Sequence, residues 1–92
     1  MKFLAVCGFG VGSSMVLKLS LDQVINELGI DAVAENTDIT SAKATNADAI
    51  FTNEDMAEDL RKTVDIPVYS IKKYMDKEEV KAQVEKFLNE RK

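Results

Sequence analysis

Four times in 92 residues a short apolar run is followed by a stretch whose apolar side chains recur at helical spacing. That alternation constrains the fold more than any other property of the chain. The strand candidates are residues 2–7, 31–36, 49–52 and 67–71, and helices are expected over residues 13–28, 39–45 and 54–62 and from Asp76 onward. The first, third and fourth runs are almost continuously apolar, as strands covered on both faces must be. The second, Asp31-Ala32-Val33-Ala34-Glu35-Asn36, alternates polar and apolar residues and is expected at an edge. Strands alternating with helices predict a parallel sheet with right-handed crossovers and helices on both faces. The expectation is one domain over residues 1–92: a three-layer α/β/α, Rossmann-like fold with a four-stranded parallel sheet and a phosphate-binding loop after the first strand.

Helix ends are marked locally. Leu17, Leu21, Val24, Ile25 and Leu28 form the buried stripe of the first helix, and Gly29 stands where a C-terminal glycine cap belongs. Asp76 opens the last helix with Glu79 three residues on, the spacing of a capping box, and Val80, Val84, Phe87 and Leu88 follow as its apolar stripe.

Composition narrows the chemistry by exclusion. Twelve basic against sixteen acidic residues give a net charge of −4, and Arg61 and Arg91 are the only arginines, so no nucleic-acid partner is expected. There is no histidine, which removes the commonest general base and metal ligand and any phosphohistidine from this chain. A single cysteine cannot form an internal disulfide. The start of the chain lacks the pattern of a signal peptide, and its apolar run is too short to span a membrane. A cytoplasmic monomer needing no metal and no organic cofactor is expected.

The single cysteine is Cys7, where the first strand runs out into Gly8-Phe9-Gly10-Val11-Gly12-Ser13-Ser14. A lone cysteine at a strand end is ordinarily a small buried hydrophobe. Alternating glycines and two serines leading into a helix shift the reading to a nucleophile. Glycine removes side chains that would block an anion, and a helix N-terminus offers N–H groups and the positive end of its dipole. Such surroundings favour a thiolate or its phosphate ester. Ser13 and Ser14 are either added hydroxyl donors or plain N-caps. Phe9 and Met15 are apolar and either simply pack or, for Phe9 between glycines, stand at the loop tip for partner contact. The loop is not a Walker motif, since no Gly-Lys-Ser/Thr follows, and its glycine spacing departs from the dinucleotide fingerprint.

The ends of the other strands bring further candidates to the same edge. Thr37, Thr52 and Asn53 are short donors for the rim of a phosphate site, or simply turn and cap residues, as Asp38 and Asn53 are well placed to be. Lys72 and Lys73 are the adjacent basic pair there, facing an acidic partner or the phosphoryl group, or only solvent. Lys18 reaches phosphate only by folding back along its helix. Glu54, Asp55, Glu58 and Asp59 form a solvated helix face.

The segment Cys7-Gly8-Phe9-Gly10-Val11-Gly12-Ser13-Ser14-Met15, with Asp22-Gln23 beyond it, resembles the active-site loop of enzyme IIB components of the bacterial sugar phosphotransferase system. The likeness is greatest to the ascorbate type within the lactose/cellobiose/galactitol-like group, and Phe9 stands where a polar residue is expected. The resemblance implies a transferase whose Cys7 accepts phosphate from a phosphohistidine of enzyme IIA. Cys7 then passes it to a sugar, ascorbate-like, held by the membrane component enzyme IIC. It also implies peripheral association with that transporter. Residues 8–14 would form the phosphate-binding loop. Two other readings stand beside it: a regulatory module phosphorylated on cysteine, and a small phosphatase-like cysteine enzyme. The phosphatases place a clamping arginine six residues after the cysteine, and that position here is Ser13. A redox role lacks a resolving thiol.

Overall fold

A computed structural model of the chain describes residues 1–6 and 10–90, with the side chains of residues 10–14 excepted. Four strands and four helices alternate: β1 (Lys2–Val6), α1 (Gly10–Leu28), β2 (Val33–Thr37), α2 (Ile39–Ala44), β3 (Ala49–Thr52), α3 (Glu54–Thr63), β4 (Val68–Ser70) and α4 (Lys77–Glu90). The strands form one parallel sheet in the order β2-β1-β3-β4. The expected doubly covered sheet is therefore observed, with the alternating segment β2 at an edge.

Strands β1, β3 and β4 send alternate side chains to opposite faces. Phe3 and Ala5 of β1, Phe51 of β3 and Tyr69 of β4 face one layer, closed by Leu17, Leu21 and Val24 of α1 and Val80, Val84 and Phe87 of α4. Leu4 and Val6 of β1, Ile50 of β3 and Val68 of β4 face the other, closed by Ala42 of α2 and by Ala57 and Leu60 of α3. The first layer holds an aromatic cluster in which Phe3 meets Phe51 and Phe87 edge-on, at centroid separations of 5.3 and 5.4 Å, and Phe51 stacks on Tyr69. The Tyr69 hydroxyl leaves this cluster to donate to Glu90 Oε1 at 2.7 Å.

Helix limits depart from the sequence expectation at two places. Helix α1 begins at Gly10 rather than near Ser13, so Gly10, Val11, Gly12, Ser13 and Ser14 lie in helical backbone and the serines are not its caps. Glycine and serine are poor helix formers. Burial of Leu17, Leu21 and Val24 carries the helix through them, as tertiary packing outweighs propensity. The second departure is at α4. Asp76 accepts from the N–H groups of Glu78 and Glu79 as an N-cap does, but the Glu79 carboxylate does not return to the Asp76 N–H. It accepts instead from Lys72 N and Lys73 N, at 2.7 and 3.0 Å. Gly29 ends α1 with φ +64°, the left-handed C-cap expected there.

The outer edge of β4 is closed by side chains. Pro67 and Ile71 bond inward to β3, so the carbonyls of Val68 and Ser70 point outward. Arg61 donates twice to Val68 O, at 3.2 and 3.0 Å, and Gln83 donates to Ser70 O at 2.9 Å. Both acceptors that a fifth strand would need are taken.

Candidate functional site

The strand register builds a level edge. Val6 stands opposite Thr37 on one side and Thr52 on the other, and Thr52 stands opposite Ser70, so the four strands end in one row. From β1 the chain passes through α1 to β2 on one flank. From β2 it passes through α2 to β3 on the other flank. The end of β1 is thus the point where the winding reverses, the place where parallel α/β sheets bind ligands. Cys7, Gly8 and Phe9 lie outside the described residues, but their two ends are fixed. Val6 closes β1 fully buried, and Gly10 opens α1. In the chain Cys7 directly follows Val6, and the first turn of α1 follows Phe9; the N–H groups of a helix's first turn have no partner within the helix.

A side chain not obvious from its sequence context anchors the strand end. Thr52 is completely buried, and its hydroxyl donates to Val6 O at 2.6 Å. Its backbone carbonyl accepts from Ile71 N at 2.7 Å. Thr52 thus ties β1 to β3 and β3 to the chain leaving β4, one residue before Cys7. Its hydroxyl proton is committed inside the sheet, and the side chain is not an open rim donor. The signal for this role is a threonine closing the apolar run Ala49-Ile50-Phe51.

The remaining rim candidates sort by what holds them. Asn53 caps α3, its Oδ1 accepting from Met56 N at 2.9 Å, and Asp38 caps α2 by accepting from Ser41 N at 2.6 Å. That backbone N–H holds the Asp38 carboxyl below the usual carboxylate range. Thr37 ends β2, half-buried, opposite Val6. Lys72 and Lys73 are exposed, with their backbone N–H groups bound by Glu79. Lys18 pairs with Asp22 one turn on, at 2.8 Å, and is not turned back toward the loop. The loop after β4 is further pinned to α1 by Ser20, whose hydroxyl donates to Tyr74 O at 2.6 Å.

Charge is distributed unevenly over the helix starts. The first turn of α3 carries Glu54 and Asp55 and that of α4 carries Glu78 and Glu79, whereas the first turn of α1 holds no acidic residue. Negative charge near a helix N-terminus is stabilising. Helices α2 and α4 add aspartate caps, Asp38 and Asp76, whereas the cap of α3 is the neutral Asn53. Among the described residues no group of three or more His, Cys, Asp or Glu is placed to hold a metal ion. A shallow cleft of about 380 Å³, lined in part by Arg61, Asp65, Tyr69, Lys86 and Glu90, lies at the start of β4, the opposite end of the sheet.

Comparison with known proteins gives this edge a context. Residues 2–86 match the family described as the phosphotransferase system (PTS), lactose/cellobiose-specific IIB subunit. The chain belongs to the PTS IIB family. It is 26% identical over 90 residues to an ascorbate-specific PTS system EIIB component of Mycoplasma pneumoniae, covering 96% of this chain and 95% of that protein. It is 34% identical over 64 residues to an ascorbate-specific PTS system EIIB component of Shigella dysenteriae, covering 67% and 63%. Its fold is that of a lactose-specific IIB component domain from Streptococcus pneumoniae, with TM-score 0.61 and 15% identity over 97% of this chain and 95% of that one. Membership of the IIB family makes the chain a phosphotransfer component of sugar uptake, working with IIA and with membrane IIC. Among the described residues no helix is long and apolar enough to cross a membrane.

Proposed function

We propose that Cys7 is the phosphoryl carrier of this IIB protein. Its thiolate attacks the phosphorus of a phosphohistidine on enzyme IIA; the S–P bond forms, the P–N bond breaks, and the electron pair returns to the imidazole nitrogen. In the second step a hydroxyl oxygen of a sugar held by enzyme IIC attacks the phosphorus. The S–P bond breaks, Cys7 regains its thiolate, and the hydroxyl proton leaves to a base outside this chain, which has no histidine. The N–H groups and dipole of the first turn of α1 would stabilise the charge that develops in both steps. Gly8, Phe9, Gly10, Val11, Gly12, Ser13 and Ser14 are the proposed phosphate-binding segment, in which the last five contribute as the start of a helix. The whole chain acts as one cytoplasmic, monomeric domain docked at the membrane component. Both curated relatives are named for ascorbate, which favours an ascorbate-like sugar.

What supports this reading is that β1, whose last residue Val6 directly precedes Cys7 in the chain, ends at the reversal point of the sheet, in a chain that matches the IIB family over residues 2–86. The test is incubation with phosphorylated enzyme IIA, followed by localisation of the phosphoryl group by peptide mass spectrometry. Labelling of Cys7 and its loss in Cys7→Ser are expected. An unlabelled Cys7 would refute the carrier role. A label that stays on Cys7 in the presence of enzyme IIC and ascorbate, and of IIC with other sugars, would refute onward transfer.

A further inference from the structure

Among the described residues two polar side chains are buried in an otherwise apolar core, Thr52 with no exposure and Ser20 at 8%. A buried hydroxyl costs stability unless it is hydrogen-bonded. Both are bonded, and both donate at 2.6 Å to a backbone carbonyl. Thr52 of β3 holds Val6, the last residue of β1, and Ser20 of α1 holds Tyr74, in the loop between β4 and α4.

The two bonds belong to one path. Val6 O accepts from the Thr52 hydroxyl, and Thr52 O accepts from Ile71 N at 2.7 Å. The next two residues, Lys72 and Lys73, donate their N–H groups to the Glu79 carboxylate of α4 at 2.7 and 3.0 Å. Asp76 N bonds Lys73 O at 3.0 Å, closing a turn around Tyr74 and Met75. Tyr74 O then accepts from Ser20. The path starts at the residue before Cys7 and returns to the helix that follows Phe9. It therefore links the two segments on either side of residues 7–9 without passing through them.

The closing bond acts on α1. Leu17, Leu21 and Val24 hold this helix by apolar contacts, which are non-directional. The Ser20 bond fixes a distance and an angle. A second polar tie, Lys77 to Glu27 at 2.9 Å, joins two exposed side chains and contributes little.

We propose that Ser20 is a positioning residue for phosphoryl acceptance, acting through the loop of residues 71–76 as a strut that holds the first turn of α1 in register with the end of β1. Glu79 fixes the middle of the strut. The inference rests on the carrier role of Cys7, for which that first turn supplies the N–H groups.

The test follows labelling of Cys7 by phosphorylated enzyme IIA over a range of IIA concentrations, with thermal unfolding alongside. Ser20→Ala deletes the bond but introduces a better helix former, so Tm should stay within about 5 °C of wild type. Its maximal labelling rate should fall about tenfold with KM for IIA unchanged. Tyr69→Phe removes a hydroxyl bond at the opposite end of the sheet and should keep the wild-type rate. Glu79→Gln leaves the loop one acceptor in place of two and should slow labelling about threefold. Added to Ser20→Ala it should slow that variant no further, because the strut is already parted from α1. If wild-type Cys7 takes no label, the carrier role itself fails. If the wild type is labelled and Ser20→Ala matches its maximal rate, the strut is wrong and the carrier role stands. A rise in KM at unchanged maximal rate, an equal slowing in Tyr69→Phe, or losses that multiply in the double variant would also overturn the strut.

Discussion

Replacing Thr52 by valine removes one hydroxyl and leaves a side chain of the same shape and backbone preference. The lost interaction is the 2.6 Å bond to Val6 O, made by a residue with no solvent exposure. A neutral buried bond contributes about 0.5–1.5 kcal/mol net, and the methyl that replaces the hydroxyl offsets part of that loss. The expected cost is about 1 kcal/mol, which in a domain of this size lowers Tm by roughly 4–8 °C. Thr52→Ser makes the opposite deletion, keeping the hydroxyl and losing one methyl at about 0.8 kcal/mol. The pair therefore matches in stability and differs in whether the end of β1 remains tied. Since Val6 immediately precedes Cys7, the untied variant should accept phosphate from enzyme IIA roughly tenfold more slowly, a modest share of what misplacing a reacting group can cost. Thr52→Ser should stay within about twofold of wild type on the same grounds. Thermal unfolding and quenched-flow labelling of Cys7 measure the two quantities. Equal transfer rates in the valine and serine variants would refute the positioning role, and a valine variant as stable as wild type would refute the energetic one.

Tyr69 is pushed up to about 12 from its ordinary 10, first by burial and then by its hydrogen bond to Glu90. The folded state holds the proton more tightly, so the stabilisation is full below pH 10 and is lost as pH rises toward 12. Tyr69→Phe should lose stability less steeply than wild type across that window in urea titrations, and parallel slopes would contradict the assignment. Asn53→Ala should destabilise by about 1 kcal/mol through loss of the α3 cap, and Asn53→Asp should restore the stability. If Asn53 also borders the phosphoryl site, the aspartate will restore folding but slow phosphoryl acceptance by repulsion; equal rates would leave it a cap alone. Removing both guards of the β4 edge in Arg61→Ala/Gln83→Ala frees two outward carbonyls, and concentration-dependent self-association is expected by light scattering. A double variant that stays monomeric at every concentration would show that those two bonds do not limit strand pairing.

Sequence period and sequence chemistry differed in what they revealed. The order of elements, the edge position of β2 and the buried stripes of α1 and α4 follow from apolar spacing, because burial on one or two faces is what writes that spacing. The start of α1 was hidden because Gly10, Gly12, Ser13 and Ser14 disfavour helix locally, while the force that makes them helical comes from Leu17, Leu21 and Val24, a turn or more away. Glu79 illustrates a second limit. Its distance from Asp76 suits a capping box, and nothing local tells that the backbone of Lys72 and Lys73 will fold back to claim the carboxylate. Thr52 is a third case, since its partner lies 46 residues away in the chain and becomes a neighbour only through the β1–β3 register. Cys7 was legible as a candidate because residue type, strand end and following helix are all local.

The four helix starts lie along the same sheet edge and bear on why a phosphoryl group would be carried at the start of α1 rather than at the other three. Helices α3 and α4 begin with paired acidic residues and α2 begins with an ionised Asp38 cap, so an incoming dianion would meet negative charge at each of them. Helix α1 has no acidic residue in its first turn, and the three residues before it, Cys7, Gly8 and Phe9, include no carboxylate. Among the described residues no carboxylate meets the half-charge of that helix end, which would leave it for a group brought in from outside. Strong holding would defeat a relay, since a phosphoryl group gripped by a bidentate arginine is also activated toward water. At the position where a phosphatase would place that arginine the chain has Ser13, within the helical first turn. Under the proposed carrier role, neutral N–H donors and a helix dipole would supply an intermediate hold. An arginine introduced as Ser13→Arg is accordingly expected to shorten the life of the phosphorylated Cys7 in water, and an unchanged hydrolysis rate of the isolated phosphoprotein would contradict that account.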